Sequence, residues 1–396
     1  MTLFYKREPG YGVLCRLEEA GHEAVFVGGA VRDHLLNREA TDIDIATSAE
    51  PEEVKKVFPH TFDVGIEHGT VLVVLKGEQV EVTTFRTDGK YTDHRRPDAV
   101  KFVKSLTEDL MRRDFTINAL AMTKDGKLLD PFNGRLDMEK NLIRAVGDPV
   151  ERFKEDALRM MRAIRFSSTL NFSIEKKTFQ AIMSGGAQLS HVSVERLKLE
   201  FDKLFMGINP LNAFNYMEKS SLNLYLPLYP KDNTALIEIL PFKSPKEGWA
   251  YLAIAGGFST TNIVNAYKLS KQERKYISSV QDVYVRRLQN AYTIDDYYLF
   301  DIDVIKIAER IYNSFYKDEI AISEETIEMN KNSLRIHSIA DISVDGTDLL
   351  DWTGLSGGRW TGEWISKIEK AVLYGDCQNE ISSIKEWFIN EFNSKR

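Results

Sequence analysis

Two aspartates one residue apart, Asp42 and Asp44, have the side-chain type and spacing to hold a metal ion. On a β-strand, residues two apart point to the same side, so both carboxylates would face one cleft while Ile43 and Ile45 face the core. Carboxylate oxygens suit Mg²⁺, and a metal pair can clamp both the attacking and the leaving oxygen of a phosphoryl transfer. A solvated strand end without a ligand is the alternative that the doublet alone leaves open.

A glycine pair, Gly28 and Gly29, lies upstream of the aspartates between an apolar run and a short predicted helix. Because glycine has no side chain, backbone N–H groups there can approach a triphosphate closely. No Gly-Lys-Ser/Thr and no third glycine follow, which excludes a P-loop and a dinucleotide fingerprint. Arg32, on the first turn of the helix, is predicted to clamp phosphate, and a surface salt bridge to Asp33 is the alternative. The combination predicts phosphoryl or nucleotidyl transfer.

A β-hairpin is predicted over residues 69–86, and its second strand carries Glu81. Because Val80 and Val82 flank Glu81 on the strand, the carboxylate of Glu81 must point to the face of the sheet opposite to theirs. We expect a third carboxylate beside the aspartate pair, with a solvated sheet face as the alternative. The following segment, 88–97, has no periodicity and many turn-forming residues, so we expect a mobile loop.

Charged and amide side chains recur among apolar residues at 112–118. Such a semi-buried cluster must be hydrogen-bonded internally or to a ligand. Arg113 could meet phosphate, while Asp114 and Asn118 could hold a ribose hydroxyl. A wider basic cluster could meet triphosphate or RNA backbone, or form a solvated charged face. Its members are Arg86, Lys90, His94, Arg95, Arg96, Lys101, Lys104, Arg112 and Arg113.

Residues 155–166 are predicted to form one amphipathic helix with arginines on its polar face. The buried stripe consists of Ala157, Met160, Met161 and Ile164. Asp156 and Arg159 lie one turn apart, and an i,i+3 surface ion pair worth about 0.2–0.5 kcal/mol is one interpretation. The other is a base-reading pair, since Arg only donates and a carboxylate only accepts hydrogen bonds. Adenine and cytosine match this pattern with an amino donor beside a ring-nitrogen acceptor, whereas guanine and uracil present the reverse order.

These stretches, in this order and spacing, resemble the motifs of class II tRNA nucleotidyltransferases. These are the CCA-adding enzymes of the polymerase-β-like superfamily, here in their Gram-positive bacterial form. The resemblance is carried by five stretches in the first 205 residues, namely 28–44, 112–118, 130–137, 155–159 and 191–196.

The resemblance implies specific roles for the residues in these motifs. Mg²⁺ would lie on Asp42 and Asp44, with Glu81 as a candidate third catalytic carboxylate. The segment 88–97 would be the flexible loop needed for the final A, and 191–196 would support the helix that reads the base. We expect the nucleotide to bind at Gly28, Gly29, Arg32, Arg113, Asp114, Asn118, Asp156, Arg159, Arg162 and Arg165.

The resemblance also implies an α+β fold class and an activity. A polymerase-β-like nucleotidyltransferase head with a mixed sheet would occupy 1–148, followed by an all-α neck with the nucleobase template at 149–210. A helical body would follow at 211–325 and a helical, tRNA-binding tail at 326–396. The implied reaction adds CCA to the 3′ end of tRNA from CTP and ATP without a nucleic-acid template and releases pyrophosphate.

Composition bounds the class of protein. A formal net charge of −7 argues against indiscriminate nucleic-acid binding, and the two distant cysteines lack metal-ligand spacing. No run of about 18 apolar residues and no signal peptide is present, so we expect a cytoplasmic protein without a membrane partner. The expected partners are ATP, CTP and the acceptor and T arms of tRNA, and a homodimer remains open. Candidate tRNA contacts, otherwise solvated helix faces, are Lys271, Arg274, Lys275, Arg286 and Arg287.

Three alternative functions remain. A class II poly(A) polymerase shares the head motifs, and a strongly basic C-terminal extension would favour it. A CC-adding enzyme is disfavoured by the retained 88–97 segment. A non-catalytic nucleotide- or RNA-sensing protein would have no need of Asp42 and Asp44 as a metal pair.

Overall fold

The computed structural model describes residues 9–40, 42–89, 100–317 and 321–394. The chain packs as two compact units. The first comprises residues 1–229, 241–245 and 265–268, and the second comprises 230–240, 246–264 and 269–396. The predicted boundaries at 148, 210 and 325 remain predictions.

Short helices and strands make up the first part of the chain. They are α1 (Gly10–Glu19), β1 (Ala24–Val27), α2 (Gly29–Leu35), β2 (Asp44–Thr47), α3 (Pro51–Val57), β3 (Thr61–Gly65), β4 (Thr70–Leu75), β5 (Glu78–Thr84), β6 (Arg86–Asp88), β7 (Val100–Phe102), α4 (Leu106–Met111), β8 (Ala121–Met122), β9 (Leu128–Leu129), α5 (Gly134–Glu139) and β10 (Leu142–Ile143).

Seven strands form one mixed sheet in the order β3-β4-β5-β2-β1-β8-β9. β2 and β5 run parallel, and the other neighbouring strands are antiparallel. Val25 and Val27 of β1 and Ala46 of β2 are buried in an apolar cluster with Phe85 and Leu110. This core fixes the two central strands, so the polar residues at their ends are held in place. The predicted mixed-sheet head is confirmed.

The predicted hairpin is confirmed as β4 and β5, joined by a two-residue turn. Lys76 and Gly77 have φ of +54° and +83°, the backbone conformation that two-residue hairpin turns require. Val80 and Val82 are buried whereas Glu81 is exposed, as the alternation predicted. Most of the predicted loop at 88–97 lies outside the described residues, and β6 and β7 on either side of it pair with each other.

Helices dominate from residue 149 onward, and the first of them belong to the first unit. They are α6 (Pro149–Glu155), α7 (Leu158–Thr169), α8 (Lys176–Gly185), α9 (Val194–Phe205) and α10 (Pro210–Lys219), with the short strand β11 (Ser173–Ile174) pairing with β10.

The prediction of one continuous helix over 155–166 was wrong. α6 ends at Glu155 and α7 begins at Leu158, because Asp156 adopts an extended backbone with φ −144° and ψ 104°. The Asp156 carboxylate accepts a hydrogen bond from the Leu158 N–H at 3.1 Å. Such a local side chain–backbone bond competes with helix continuation. The predicted apolar stripe is nevertheless fully buried.

The remaining helices are α11 (Leu236–Ile239), α12 (Pro245–Ala255), α13 (Thr260–Tyr267), α14 (Lys271–Gln289), α15 (Ile294–Leu299), α16 (Ile302–Tyr316), α17 (Glu324–Asn332), α18 (Gly346–Thr353), α19 (Arg359–Tyr374) and α20 (Ile381–Ser394). In the second unit, Trp364, Ile368 and Phe388 belong to a buried cluster that joins α19 and α20. Among the described helices, none combines the length and the hydropathy needed to cross a bilayer.

Arg287 does not serve as the tRNA contact that the sequence offered. Its side chain is buried, and its Nε donates to Glu309 Oε2 at 2.8 Å. The buried pair satisfies both charges inside the fold, so Arg287 has a structural role.

Candidate active site

Two cavities in the first unit meet at Asp44. A basic cleft of about 560 Å³ carries seven arginines and one lysine against three carboxylates. A neighbouring acidic cavity of about 610 Å³ is lined by Glu39, Asp42, Glu78 and Glu81. Asp44 lines both cavities. An anionic triphosphate therefore fits the basic cleft, with a carboxylate cluster at its edge.

The basic cleft brings together all ten predicted nucleotide-binding residues. They are Gly28, Gly29, Arg32, Arg113, Asp114, Asn118, Asp156, Arg159, Arg162 and Arg165. Three further cations that we had not placed in the nucleotide site also line it, namely Arg112, Arg196 and Lys203. Of the wider basic cluster, Arg112 and Arg113 reach the cleft, while Lys90, His94, Arg95 and Arg96 lie outside the described residues.

The carboxylate cluster is built on two parallel strands. Asp44 begins β2 and lies opposite Glu81 of β5 in the register, so both side chains leave the sheet on the same face. Asp42 lies just before β2 and lines the same cavity. Burial raises the pKa of Asp44, and the Glu81 and Asp42 charges raise it further, whereas Arg113 lowers it. A divalent cation would relieve this repulsion, so the donor set fits Mg²⁺.

A closed metal site is not preformed in the described part of the chain. There, no group of three or more His, Cys, Asp and Glu side chains lies close enough together to hold a metal. Asp42 and Asp44 remain a candidate pair of ligands, and the role of Glu81 as a third carboxylate remains a prediction.

Gly28 occupies a backbone conformation that other residues avoid, with φ +70° and ψ −131°. A Cβ at this position would lie 3.2 Å from Arg113 Nη1 and 4.0 Å from Asp44 Oδ2. The glycine thus lets the backbone lie between an arginine and a carboxylate of the site.

Gly28→Ala is expected to destabilise the protein by about 1–3 kcal/mol, because alanine is strained at this φ and ψ. It should also raise the KM for nucleotide, since the added methyl group displaces Arg113. Urea unfolding and initial rates measure the two effects. As a control, Gly77→Ala also has positive φ but has nothing within 4 Å of its Cβ position, so it should lower stability alone.

A hydrogen-bonded chain crosses the floor of the cleft. Arg32 Nη1 donates to Asn118 Oδ1 at 2.7 Å, and Asn118 Nδ2 donates to Asp114 Oδ1 at 3.0 Å. Arg162 Nε donates to Asp114 Oδ2 at 2.7 Å. Arg32 also pairs with Asp33 at 2.8 Å, as the alternative interpretation had it. It lines the cleft as well, and its contact with phosphate remains a prediction.

The ionised form of Asp114 is strongly favoured. Burial alone would raise its pKa, but the Arg162 charge and the hydrogen bonds from Asn118 and Arg162 lower the pKa to about 2. Because the folded-state pKa lies below the unfolded value of about 3.9, ionised Asp114 stabilises the fold above that value. This stability is lost as the pH falls through about 2.

Asp114→Asn is therefore expected to lower the free energy of unfolding by about 2 kcal/mol at pH 7. The difference from the wild type should shrink as the pH falls from about 4 toward 2. Urea unfolding over this pH range measures it. A loss that stays constant with pH would assign the effect to packing instead of ionisation.

Arg112 and Arg113 share a buried carboxylate that the sequence analysis missed. Asp109 is 1 % exposed and accepts from Arg112 Nη2 at 2.8 Å and from Arg113 Nη2 at 3.1 Å. Burial raises the pKa of Asp109, but the two arginines lower it overall. Arg113 Nε is buried without a hydrogen-bond partner. The spacing of three and four residues from Asp109 was the signal in the sequence, because residues so spaced face each other on a helix.

Asp156 and Arg159 do not form the surface ion pair that was one interpretation of their spacing. Asp156 accepts from Arg196 Nη1 at 3.2 Å and Nη2 at 2.6 Å. Arg159 Nη1 donates to Glu155 Oε2 at 2.7 Å, and its Nη2 donates to the Arg112 carbonyl at 3.0 Å. Each is thus held by other partners, and both line the basic cleft.

Both side chains keep hydrogen-bonding capacity for a ligand. Leu158 N–H and the two Arg196 nitrogens occupy three of about four acceptor positions on Asp156. The bonds from Arg159 to Glu155 and to the Arg152 and Arg112 carbonyls use three of its five N–H donors. By this count, one acceptor position on Asp156 and two N–H donors on Arg159 are left for a ligand.

The mixed sheet, the acidic edge and the arginine cleft define a polymerase-β-like nucleotidyltransferase head. The family "Poly A polymerase head domain" matches residues 24–144. "Probable RNA and SrmB-binding site of polymerase A" matches 171–230, and "tRNA nucleotidyltransferase domain 2 putative" matches 240–388.

Known proteins match the chain along nearly its whole length. A CCA-adding enzyme of Bacillus cereus (strain AH820) is 41% identical over 377 residues, which cover 94% of this chain and 95% of the relative. The crystal structure of the Bacillus stearothermophilus CCA-adding enzyme in complex with CTP is 36% identical. It has a TM-score of 0.81 and covers 97% of each chain. The chain belongs to the CCA-adding enzymes, the class II tRNA nucleotidyltransferases, in their Gram-positive bacterial form.

A more distant structure supports the fold alone. The Thermotoga maritima CCA-adding enzyme complexed with tRNA_CCA is 20% identical, with a TM-score of 0.69, and covers 98% of this chain and 97% of its own.

Proposed function

We propose that this chain adds cytidine, cytidine and adenosine in turn to the 3′ end of tRNA. It would use CTP and ATP without a nucleic-acid template and release pyrophosphate. One observation carries the proposal: a single cleft joins the carboxylate Asp44, the arginines Arg32 and Arg113 and the pair Asp156 and Arg159. The similarity to an enzyme crystallised with CTP supports the same nucleotide here.

Asp42 and Asp44 would hold Mg²⁺, with Glu81 as a third carboxylate. When bound, a metal pair lowers the pKa of the attacking 3′-hydroxyl and neutralises charge on the oxygens of the in-line displacement. The raised pKa of Asp44 supports this assignment, because clustered carboxylates make a cation favourable there.

The arginines would orient the triphosphate and stabilise its developing charge. The Nε of Arg113 is buried and has no hydrogen-bond partner. Because Arg113 also donates to Asp109, its donors are fixed before the nucleotide binds. Arg32 is held by Asp33 and Asn118. Preorganised donors of this kind need little rearrangement during the reaction.

Asn118 and Asp114 would position the ribose. The Asn118 amide nitrogen has two N–H donors, of which Asp114 takes one. The remaining donor can meet a ribose hydroxyl.

Base selection would rest on Asp156 and Arg159. The free acceptor of Asp156 matches the exocyclic amino group of adenine and cytosine, and the free donors of Arg159 match the adjacent ring nitrogen. Guanine and uracil place a carbonyl and a ring N–H there, so they would leave buried polar groups unpaired. Arg162 and Arg165 would complete the charged wall of the site.

Glu81→Gln is expected to lower kcat by about tenfold or more at saturating Mg²⁺, with a raised Mg²⁺ requirement. Glu78→Gln is the matched control, because Glu78 lies on the same strand and lines the same acidic cavity. Equal rates for wild type and Glu81→Gln across a Mg²⁺ titration would show that Glu81 is not a catalytic carboxylate.

We also propose which parts of the chain contact tRNA and where in the cell the protein acts. The acceptor and T arms of tRNA would contact the helical body and tail, with Lys271, Arg274, Lys275 and Arg286 among the candidates. The protein would act in the cytoplasm, and its mass in solution would decide between a monomer and the homodimer that the sequence left open.

Labelled CTP and ATP, offered singly with Mg²⁺ to tRNA transcripts ending before CCA, after C and after CC, test the proposal. We expect C addition to the first two transcripts and one A on the third. Long A tracts would indicate a poly(A) polymerase, and arrest after CC would indicate a CC-adding enzyme. No incorporation, with nucleotide still bound, would indicate a sensing protein.

A further inference from the structure

One aromatic ring lies beneath the cations of the basic cleft. Phe166 of α7 is 3 % exposed and lines the cleft. The guanidinium carbon of Arg165 lies 3.7 Å from its ring centroid, that of Arg32 5.2 Å and that of Arg162 5.6 Å. All three distances fall within the range of cation–π attraction, about 6 Å.

The three arginines reach this ring from two helices and are held by three acidic residues, of which Glu200 contacts both Arg165 and Arg162. Arg32 comes from α2 and pairs with Asp33. Arg162 and Arg165 come from α7 and pair with Asp114 and Glu200 respectively. Phe166 is therefore a contact that all three guanidinium groups share.

An aromatic ring differs from a carboxylate in what it does to the charge of the cleft. The face of the ring attracts a cation through its quadrupole, yet the ring carries no net charge. A carboxylate in its place would compete with the triphosphate for the arginines. A neutral ring can hold the guanidinium groups together against their mutual repulsion without adding to the negative charge that Asp33, Asp114 and Glu200 already supply.

The ring is itself fixed in place. Phe115 packs against Phe166 edge-on, with centroids 5.8 Å apart and an interplanar angle of 85°. Phe115 is fully buried. Because Phe115 follows Asp114 in the sequence, this contact ties the ring to the floor of the nucleotide site.

We propose that Phe166 is a positioning residue for nucleotide binding, which holds Arg32, Arg162 and Arg165 in their binding orientation by cation–π contacts. The inference rests on the proposed function, in which these arginines bind nucleotide. Phe166 acts through the arginines and does not contact reacting atoms.

Ring fluorination at position 166 tests the proposal, because it weakens the quadrupole while leaving the shape of the side chain nearly unchanged. The full-length protein carrying 4-fluoro-, 3,5-difluoro- or pentafluorophenylalanine at 166 is compared with the wild type. The readouts are the Kd for CTP without tRNA and the KM and kcat for C addition. We expect Kd and KM to rise stepwise, to about tenfold for the pentafluoro ring. We expect kcat to fall by no more than about threefold, because of the three arginines only Arg32 is assigned to the developing charge of the triphosphate.

The same substitutions at Phe85 are the matched control, because this ring is equally buried but lies in the apolar cluster of the sheet. Phe166→Tyr should retain wild-type affinity for CTP, whereas Phe166→Leu should match the pentafluoro protein. A Kd for CTP that does not change with fluorination would overturn the proposal and assign Phe166 to packing. The proposed function is tested separately. It would fail if the wild-type protein did not add C, C and A in the three-transcript assay.

Discussion

Replacing Asp44 with asparagine is expected to reduce nucleotide addition by about a thousandfold or more while leaving the protein at least as stable as the wild type. The carboxylate is the point where the basic cleft and the acidic cavity meet. In the proposed function Asp44 is a metal ligand, and its loss would remove several kcal/mol of transition-state stabilisation, which corresponds to this factor. An amide of the same shape preserves the packing, so the effect belongs to the charge.

The stability expected for Asp44→Asn follows from the sign of the pKa shift. Burial and the Glu81 and Asp42 charges raise the pKa of Asp44 in the folded protein. A carboxyl group with a raised pKa favours the fold below its unfolded pKa, and this contribution is lost as the pH rises through the folded pKa. At neutral pH the substitution removes an unfavourable buried charge, so the melting temperature should stay equal or rise.

Primer-extension rates and thermal melting at pH 7 measure both effects. Asp63→Asn is the control, since Asp63 lies exposed on β3 of the same sheet and pairs with Lys55. It should leave the rate unchanged. Wild-type activity of the Asp44→Asn protein would show that Asp44 does not hold a catalytic metal. A much lower melting temperature would indicate that Asp44 has a structural role.

Asp156→Asn is the substitution expected to change base selection most. The amide presents a donor as well as an acceptor, so it no longer excludes the carbonyl of uracil or guanine. Asparagine also loses the charge that Arg196 holds through two hydrogen bonds. We expect kcat/KM for CTP to fall about a hundredfold and the discrimination against UTP to fall by a similar factor, because unpaired buried polar groups supply the selectivity.

Single-nucleotide incorporation with CTP, ATP, UTP and GTP measures this selectivity. Asp148→Asn is a matched control, because Asp148 caps the N-terminus of α6 and asparagine caps equally well. It should change neither rate nor selectivity. If Asp156→Asn lowered all four rates equally, Asp156 would support the site without reading the base.

Local patterns predicted the parts of the site that depend on neighbouring residues in the chain. The alternation around Glu81 predicted its face, and the two strand patterns within residues 69–86 predicted the hairpin, because strand periodicity is a local property. The ten residues predicted to bind nucleotide were placed together from the motifs and the family resemblance, and the structure brings them into one cleft.

Pairings across long stretches of sequence could not be predicted in this way. Arg196 donates hydrogen bonds to Asp156, which lies 40 residues away in the sequence. Arg165 donates to Glu200, which lies 35 residues away. The helix break at Asp156 was missed because the apolar stripe keeps its helical period through the break. There, a side chain–backbone hydrogen bond prevails over the helical pattern.

In the proposed function, one cleft selects C twice and then A. The most direct measurement is sequencing of the 3′ ends formed when a tRNA transcript lacking CCA is incubated with all four nucleoside triphosphates at equal concentration and Mg²⁺. We expect products that end in CCA, with CC and C intermediates at early times. Ends that contain U or G, or tails that extend beyond the single A, would contradict the proposed function.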